Sequence, residues 1–272
     1  MNLGEHRFGL AAIATRLRRV VDGAVIAAKN AWCGEPICAG VQPWQGLEPM
    51  EPRVLLAADA GILGSAAFTD VAPSVGLGSV GAGAAAWGDF NNDGWVDLYN
   101  GNDVWKNNQG RFSRVVVPGS QNGIWGDYDN DGFLDLYTWG SGSFHIYRNI
   151  NGRSFADVTS MLPHDQLVSL IPYSRGATWG DFNGDGYLDL YIGGYESPYH
   201  PDVILTNSKA ERFNITWQQS GDIDPARGIT ASDYDEDGDL DIYVSNYRLE
   251  QNQLWRNDGA GRLTNVAGTT GV

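Results

Sequence analysis

Four nine-residue segments of this chain share one pattern of oxygen-bearing side chains, and this pattern constrains the fold more than any other feature. Asp or Asn occupies positions 1, 3, 5 and 9, and glycine occupies position 6. We call the segments loops 1 to 4; they are Asp89–Asp97, Asp127–Asp135, Asp181–Asp189 and Asp233–Asp241. Alternate side chains of a short loop can surround a calcium ion, which takes about six to eight oxygens, and glycine permits the sharp turn. A single copy is compatible with an Asx-rich turn, whereas four copies in one register predict calcium loops.

Each loop is predicted to hold one calcium ion through the side chains at positions 1, 3, 5 and 9 and the main-chain carbonyl at position 7. The predicted ligands are Asp89, Asn91, Asp93, Trp95 and Asp97 in loop 1; Asp127, Asp129, Asp131, Phe133 and Asp135 in loop 2; Asp181, Asn183, Asp185, Tyr187 and Asp189 in loop 3; and Asp233, Asp235, Asp237, Asp239 and Asp241 in loop 4. The predicted cofactor is therefore Ca²⁺, at four sites.

The competing interpretation is an EF-hand, whose loop lies between two helices and closes with a bidentate Glu at position 12. Position 12 is occupied here by Asn100, Thr138, Ile192 and Val244. The residues that follow each loop, such as Leu136–Trp139, are β-branched or aromatic, as is typical of strands. Asp at position 9 must then close the site in place of the missing Glu.

The chain repeats around these loops. Successive units open with a short strand at Phe68, Phe112, Phe155, Phe213 and Leu263, at intervals of 43 to 58 residues. One strand enters the loop, another leaves it and a third follows, which gives four strands a unit. Units of this size made only of strands are typical of propeller blades and exclude helical repeats. We predict an all-β propeller with four full repeats and a partial fifth, incomplete or open, completed by another copy or cut from a longer protein.

The motif Trp-Gly-Asp-Phe-Asn-x-Asp-Gly-x-x-Asp-Leu-Tyr, followed by Tyr-Arg-Asn and Phe-x-Asp-Val, resembles the FG-GAP and VCBS repeats that are also seen in integrin α heads. The resemblance covers residues 68–272. It implies a propeller with calcium in the loop that joins the first two strands of each blade, and a role in adhesion, ligand binding or surface display. The fourth repeat departs from the motif, because Ala231-Ser232 replaces Trp-Gly. Trp87, Trp125 and Trp179 are predicted to pack between blades rather than to stack on a sugar.

Residues 1–67 read as a separate leader that precedes the repeats at 68–272. Residues 8–28 have apolar side chains at helical spacing, interrupted by arginines, which predicts an amphipathic helix too charged to span a bilayer. Cys33 and Cys38 could close a small disulfide loop or remain as thiols. Glu51–Leu56 resembles the LEPR-XLL segment of bacterial exported proteins, which implies export. We expect most of this leader to be poorly ordered.

The formal charge of −15 bears on the partners of this chain. Nucleic acids and anionic membranes require basic patches, so the charge argues against both. No nucleophile motif accompanies the histidines, and the abundant acids are accounted for by the loops, so we expect a protein that is not an enzyme. The predicted function is adhesion or recognition of a protein or glycan outside a bacterial cell, with self-association through open propeller edges. A lectin-type propeller is the alternative, and a polysaccharide-degrading enzyme is a weaker one. Tyr195, Tyr199, His200 and Trp105 are candidates for a binding face.

Overall fold

The strands flank the acidic loops and assemble into four separate sheets. A computed structural model describes residues 69–78, 84–117, 122–195, 200–221, 223–247 and 250–271. Val71–Val272 form one compact unit, in which the described residues contain sixteen strands. Blade 1 contains β1 (Ala86–Gly88), β2 (Asp97–Tyr99), β3 (Val104–Asn107) and β4 (Phe112–Val115). Blade 2 contains β5 (Asn122–Gly126), β6 (Asp135–Gly140), β7 (Ser143–Ile150) and β8 (Ser154–Asp157). Blade 3 contains β9 (Ser174–Gly180), β10 (Asp189–Gly194), β11 (Val203–Asn207) and β12 (Phe213–Gln218). Blade 4 contains β13 (Ala226–Ser232), β14 (Asp241–Asn246), β15 (Gln253–Asn257) and β16 (Leu263–Asn265).

Each sheet is an antiparallel meander whose four strands pair in chain order. The residue before each loop pairs with the last residue of the loop: Gly88 pairs with Asp97 in blade 1, and Gly126 pairs with Asp135 in blade 2. Each acidic loop therefore joins the first strand of its blade to the second. The predicted fold class, all-β with four-stranded blades, is confirmed.

The phase of the repeat differs from the prediction by one strand. The Phe112 strand was predicted to open a unit, yet it pairs with β3 and closes blade 1. Leu263–Asn265 likewise pairs with β15, so it is the fourth strand of blade 4 and not the opening of a partial fifth unit. Residues 69–71, predicted as an opening strand, are not in a strand. The repeat length read from sequence is the same whichever strand is taken as the first of the unit. Only the hydrogen bonds between strands decide which four strands form one sheet.

Short helices, which the repeat pattern did not predict, precede, connect or follow the blades. They are α1 (Ala72–Val75), a 3₁₀ turn at Thr159–Met161, α2 (His164–Leu170) and α3 (Ala267–Thr270). Leu167 of α2 is fully buried in the largest hydrophobic cluster together with Ile171. The link between blades 2 and 3 therefore packs into the core.

Neighbouring blades pack through their first strands: β1 contacts β5, β5 contacts β9, and β9 contacts β13. A Cβ on Gly88 would lie 2.8 Å from the Trp125 ring, and one on Gly126 would lie 2.7 Å from the Trp179 ring. These glycines let each indole lie against the preceding blade. The predicted packing of Trp125 and Trp179 between blades is confirmed. Trp87 is different, since it is 59% exposed.

The predicted helix at 8–28, the cysteine pair, the LEPR-like segment and Tyr199 lie outside the described residues. Within the described ranges, no helix is long and apolar enough to cross a membrane.

Candidate metal centre

The four loops share one frame of hydrogen bonds that gathers their oxygens. The glycine N–H at position 6 donates to the carboxylate at position 1 over 2.8–3.1 Å in every loop. The N–H at position 7 donates to the side chain at position 5 over 3.0 Å in every loop. The position-6 glycines have φ between 85° and 100°, a conformation that side chains with a Cβ rarely adopt. The sequence pattern thus specifies a turn whose acidic side chains fold back on their own main chain.

Asp at position 9 anchors each loop to its blade. One carboxylate oxygen accepts the position-2 N–H over 3.2 Å, and the other accepts a main-chain N–H from the end of the third strand over 2.6–2.9 Å. All four of these side chains are buried. Burial raises the pKa of Asp97 to about 6, of Asp189 to about 7 and of Asp135 to about 8, although the hydrogen bonds oppose the shift. The pKa of Asp241 is also raised by burial.

Loops 2 and 4 each bring three carboxylates into a cluster. The carboxylate oxygens of Asp127, Asp129 and Asp135 lie within 4.8 Å of one another, as do those of the second cluster, formed by Asp233, Asp235 and Asp237. In loop 4 the cluster thus contains position 5, whereas position 9 accepts main-chain hydrogen bonds. Loops 1 and 3 have an asparagine at position 3, so their oxygen set includes an amide in place of one carboxylate.

Basic side chains contact two of the loops. The Lys106 ammonium lies 3.2 Å from Asp93, and Arg148 Nε lies 2.6 Å from Asp129. Arg148 also approaches Asp131 at 3.8 Å. Both cations come from the third strand, where they immediately precede Asn107 and Asn149. Thr206 occupies the same place beside loop 3. A cation in the loop would share these carboxylates with the basic side chains in blades 1 and 2.

The donor set fits a calcium ion. Every predicted side-chain ligand offers oxygen, which is the ligand atom that calcium prefers. Two of these oxygens, Asn91 Oδ1 and Asp233 Oδ1, are buried without a hydrogen-bond donor among the described residues. Unsatisfied buried acceptors are rare in folded proteins unless an ion or water completes them. Closely spaced carboxylates also repel one another without a cation.

Asparagine at the end of the third strand is a structural residue that the sequence reasoning missed. Asn149 Nδ2 donates to the Phe90 carbonyl of blade 1 over 2.7 Å. Asn207 makes the same bond to Tyr128 of blade 2, and Asn257 makes it to Phe182 of blade 3, each over 2.8 Å. The acceptor is always position 2 of the preceding loop. The sequence signal was the asparagine at the last or next-to-last position of this strand in all four repeats, including Asn107.

A second link joins successive loops directly. The Asn92 side chain donates to the Gly132 carbonyl over 2.7 Å, and the Asn130 side chain donates to the Gly186 carbonyl over 2.8 Å. Asn92 and Asn130 both adopt positive φ at position 4, which turns their amides outward. Loops 1, 2 and 3 are therefore connected across the blade boundaries.

A cavity of about 300 Å³ lies at the opposite ends of the strands from the loops. It is lined by Asn122, Gly140, Ser141, Tyr173, Ser174, Arg175 and Tyr195. The Arg175 and Arg227 guanidinium groups lie 5.2 and 5.1 Å from the Tyr195 ring centroid. Tyr195 was a predicted binding-face residue and lies at this cavity, whereas Trp105 lies within β3 and His200 does not line it.

The fold and the loops together define a class of protein: an all-β repeat protein whose blades each carry one acidic, glycine-turned loop. Within that class, residues 127–192 match the model of the FG-GAP-like repeat family. These residues run from loop 2 through loop 3 into β10.

Curated relatives point the same way. Cartilage acidic protein 1 of Xenopus tropicalis is 27% identical over 127 residues, and the proteins of that name in Mus musculus and Homo sapiens are 24% identical. Each alignment covers 46% of this chain and 18% of the relative, so the matched part spans under a fifth of those proteins. The family match and these relatives support an FG-GAP-type repeat protein.

Among solved structures, one described as showing specific recognition of non-reducing terminal N-acetylglucosamine by an Agrocybe aegerita lectin is similar in part. Its TM-score is 0.47 and its sequence identity is 18%, over 65% of this chain and 49% of that chain.

Proposed function

We propose that this chain is an exported, calcium-binding recognition protein whose ions hold the blades in place. The observation that carries the proposal is the buried aspartate at position 9 of every loop. A carboxylate this deeply buried is neutral or costly to ionise unless a cation accompanies it, as the raised pKa values of Asp97, Asp135 and Asp189 indicate. A calcium ion among positions 1, 3, 5, 7 and 9 would supply that charge.

The ions would act mechanically rather than chemically. The unfolded chain has no preformed site, so binding free energy becomes folding free energy. An ion in loop 2 would also act on blade 3, because Tyr128 at position 2 accepts the Asn207 bond and Asn130 donates to loop 3. Filling one loop would therefore stabilise the contact between two blades. A binding surface built on such blades is rigid, as recognition requires.

An extracellular location agrees with this role. Calcium sites in extracellular modules have dissociation constants of about 10⁻⁴ to 10⁻³ M, a range that external calcium can occupy. The LEPR-like segment supports export, and the acidic surface disfavours nucleic acid.

Differential scanning calorimetry of the full chain, in millimolar calcium and in chelator, tests the proposal. We expect a higher melting temperature in calcium, and no comparable shift in magnesium, which retains its waters and demands octahedral geometry. Identical melting curves in calcium and chelator would refute calcium binding.

A glycan or other small ligand is the second candidate, favoured by the cavity opposite the loops. Tyr173 is 43% exposed there, and two guanidinium groups lie 5.1 and 5.2 Å from the centroid of the Tyr195 ring. Exposed aromatic faces stack on sugar rings, and arginine recognises carboxylates in bidentate geometry. A glycan array with neutral and acidic sugars, probed with the full chain and with Tyr173→Ala, tests this candidate. Binding that Tyr173→Ala does not weaken would place the ligand elsewhere.

A further inference from the structure

We propose that two copies of this chain associate head to tail, with blade 4 of one copy packed on blade 1 of the other. The contact would repeat the one that joins successive blades within a chain. Three such interfaces are visible in the structure, and their components recur at fixed repeat positions. Blade 1 and blade 4 expose the two halves of a fourth interface.

An aromatic ring from position 2 of a loop forms the centre of each internal interface. Phe90 of blade 1 stacks on Trp125 of blade 2 with centroids 6.2 Å apart, and lies 5.3 Å from Phe155 of the same blade. Tyr128 of blade 2 lies 5.8 Å from Phe213 of blade 3. In blades 2 and 3 the first-strand tryptophan and the fourth-strand phenylalanine thus form a receiving surface, whereas blade 4 has Ala231 and Leu263 at these positions. The rings that pack there are 1–2% exposed.

Blade 1 carries the same receiving surface, and among the described residues no aromatic ring of another blade packs on it, although Gly76 lies against the main chain of Phe112. Trp87 and Phe112 lie 6.2 Å apart, as close as Trp125 and Phe155 at 6.0 Å. Yet Trp87 is 59% exposed. The Asn107 amide donates to Val96 of its own blade, and within the described part of the chain it makes no bond to another blade.

Blade 4 carries the matching half. Tyr234 occupies position 2 of loop 4, and its N–H donates to Asp241 over 3.2 Å, as the equivalent groups do in the other loops. Its ring is 40% exposed, whereas Phe90, Tyr128 and Phe182 are buried. In the proposed contact the Tyr234 ring packs on Trp87 and Phe112 of the second copy. The Tyr234 carbonyl accepts the free N–H of that copy's Asn107.

One residue departs from the internal pattern and limits the affinity. Ser232 occupies the position of Gly88 and Gly126 in the repeat. At those two glycines a Cβ would lie 2.7–2.8 Å from the tryptophan ring of the next blade. The Ser232 side chain must shift for Trp87 to approach. Removing that side chain should therefore strengthen the association rather than weaken it.

The contact joins different surfaces of the two copies, so it is heterologous and must either close or propagate. Two copies of the described four-blade unit bring together eight blades, which is within the usual range of about four to eight in closed propellers. The assembly expected from this geometry is a closed dimer.

Sedimentation velocity of the full chain over a concentration series tests the proposal. The wild-type chain should reach twice the monomer mass, and Ser232→Gly should lower the dissociation constant about tenfold, which corresponds to ~1.4 kcal/mol. Trp87→Arg and Tyr234→Arg should each remain monomeric. Tyr173→Arg, at an aromatic residue of similar exposure away from both faces, should dimerise like the wild type.

Mixing the two defective variants distinguishes head-to-tail packing from other arrangements. The Trp87→Arg copy retains an intact blade 4 and the Tyr234→Arg copy an intact blade 1, so their mixture should form a heterodimer. Circular dichroism spectra and melting curves first establish that both variants fold, and a variant that does not is replaced by the Ala substitution. A monomeric wild type and Ser232→Gly at the highest soluble concentration would overturn the proposal, because another segment or protein would then cover these faces. Loss of dimer in Trp87→Arg alone would also overturn it, since blade 1 would then pack on blade 1.

Discussion

Removing the Asn207 side chain should show how much the contact between two blades contributes to the free energy of unfolding, apart from the contacts within one blade. Asn207 is fully buried and makes three side-chain hydrogen bonds. Its amide donates to the Tyr128 carbonyl over 2.8 Å and to the Leu188 carbonyl over 3.2 Å, and its oxygen accepts the Ala210 N–H over 2.8 Å. Asn207→Ala leaves these three groups without this partner.

The size of the effect follows from the number of bonds. Each buried hydrogen bond contributes about 0.5–1.5 kcal/mol, and a buried group left unpaired costs about 1–3 kcal/mol. The Ala210 N–H lies in a turn and can be hydrated, so the two carbonyls dominate. We expect the free energy of unfolding to fall by ~3 kcal/mol, which for a domain of this size lowers the melting temperature by about 6–12 °C.

Asn107→Ala, measured at a concentration at which the chain is monomeric, is the matched control, because the Asn107 side chain bonds only within its own blade among the described residues of one chain. Its partners are the exposed Val96 carbonyl and Gly110 N–H. We expect a loss of about 1 kcal/mol there. Both variants are compared with the wild type by urea unfolding and by calorimetry in calcium. If the two variants lost the same free energy of unfolding, the conclusion that the hydrogen bond between blades makes Asn207 more important than Asn107 would be refuted.

Three further predictions concern the loops and the packing between blades. Asp93→Ala should lower the free energy of unfolding in calcium by the contribution of one site, about 2.7 kcal/mol at a hundredfold excess over the dissociation constant, but only slightly in chelator; equal losses in urea unfolding would exclude Asp93 as a ligand. In chelator the unfolding free energy should fall as pH rises from about 4 to 8, because Asp135 and its position-9 equivalents have native pKa values above the unfolded value and the native state holds the extra protons. In calcium the trend should reverse, since the ion binds the ionised form, and a calcium affinity that is flat with pH by calorimetric titration would contradict this. Gly126→Ala should cost about 1–3 kcal/mol through its clash with Trp179, whereas Gly268→Ala, with open space around it, should cost little; similar melting temperatures would refute the packing argument.

The loops were predictable because their geometry is local in sequence. Alternating oxygen side chains and a glycine lie within nine residues, and the hydrogen bonds of Asp127 to the N–H groups at positions 5 and 6 form inside that stretch. The strands on either side were predictable for the same reason, since β-branched and aromatic residues follow each loop. The number of full repeats, and hence the number of blades, followed from counting loops.

The blade boundaries were not predictable, because they depend on contacts between residues distant in sequence. Asn207 and its acceptor Tyr128 are 79 positions apart, and no local pattern links them. The assignment of Leu263–Asn265 to blade 4 likewise rests on pairing with β15. Trp87 is exposed, whereas Trp125 in the same motif is half-buried. This difference depends on whether another blade packs on the tryptophan.

A calcium titration of the full chain by isothermal calorimetry tests the central claim most directly. The account predicts a stoichiometry near four, with binding that strengthens between about pH 5 and 8 as the position-9 aspartates ionise. The Asp135→Asn variant, which keeps the size of a buried side chain but removes its charge, should lose one site. Absence of binding in the folded protein, or a stoichiometry unchanged in that variant, would contradict the account.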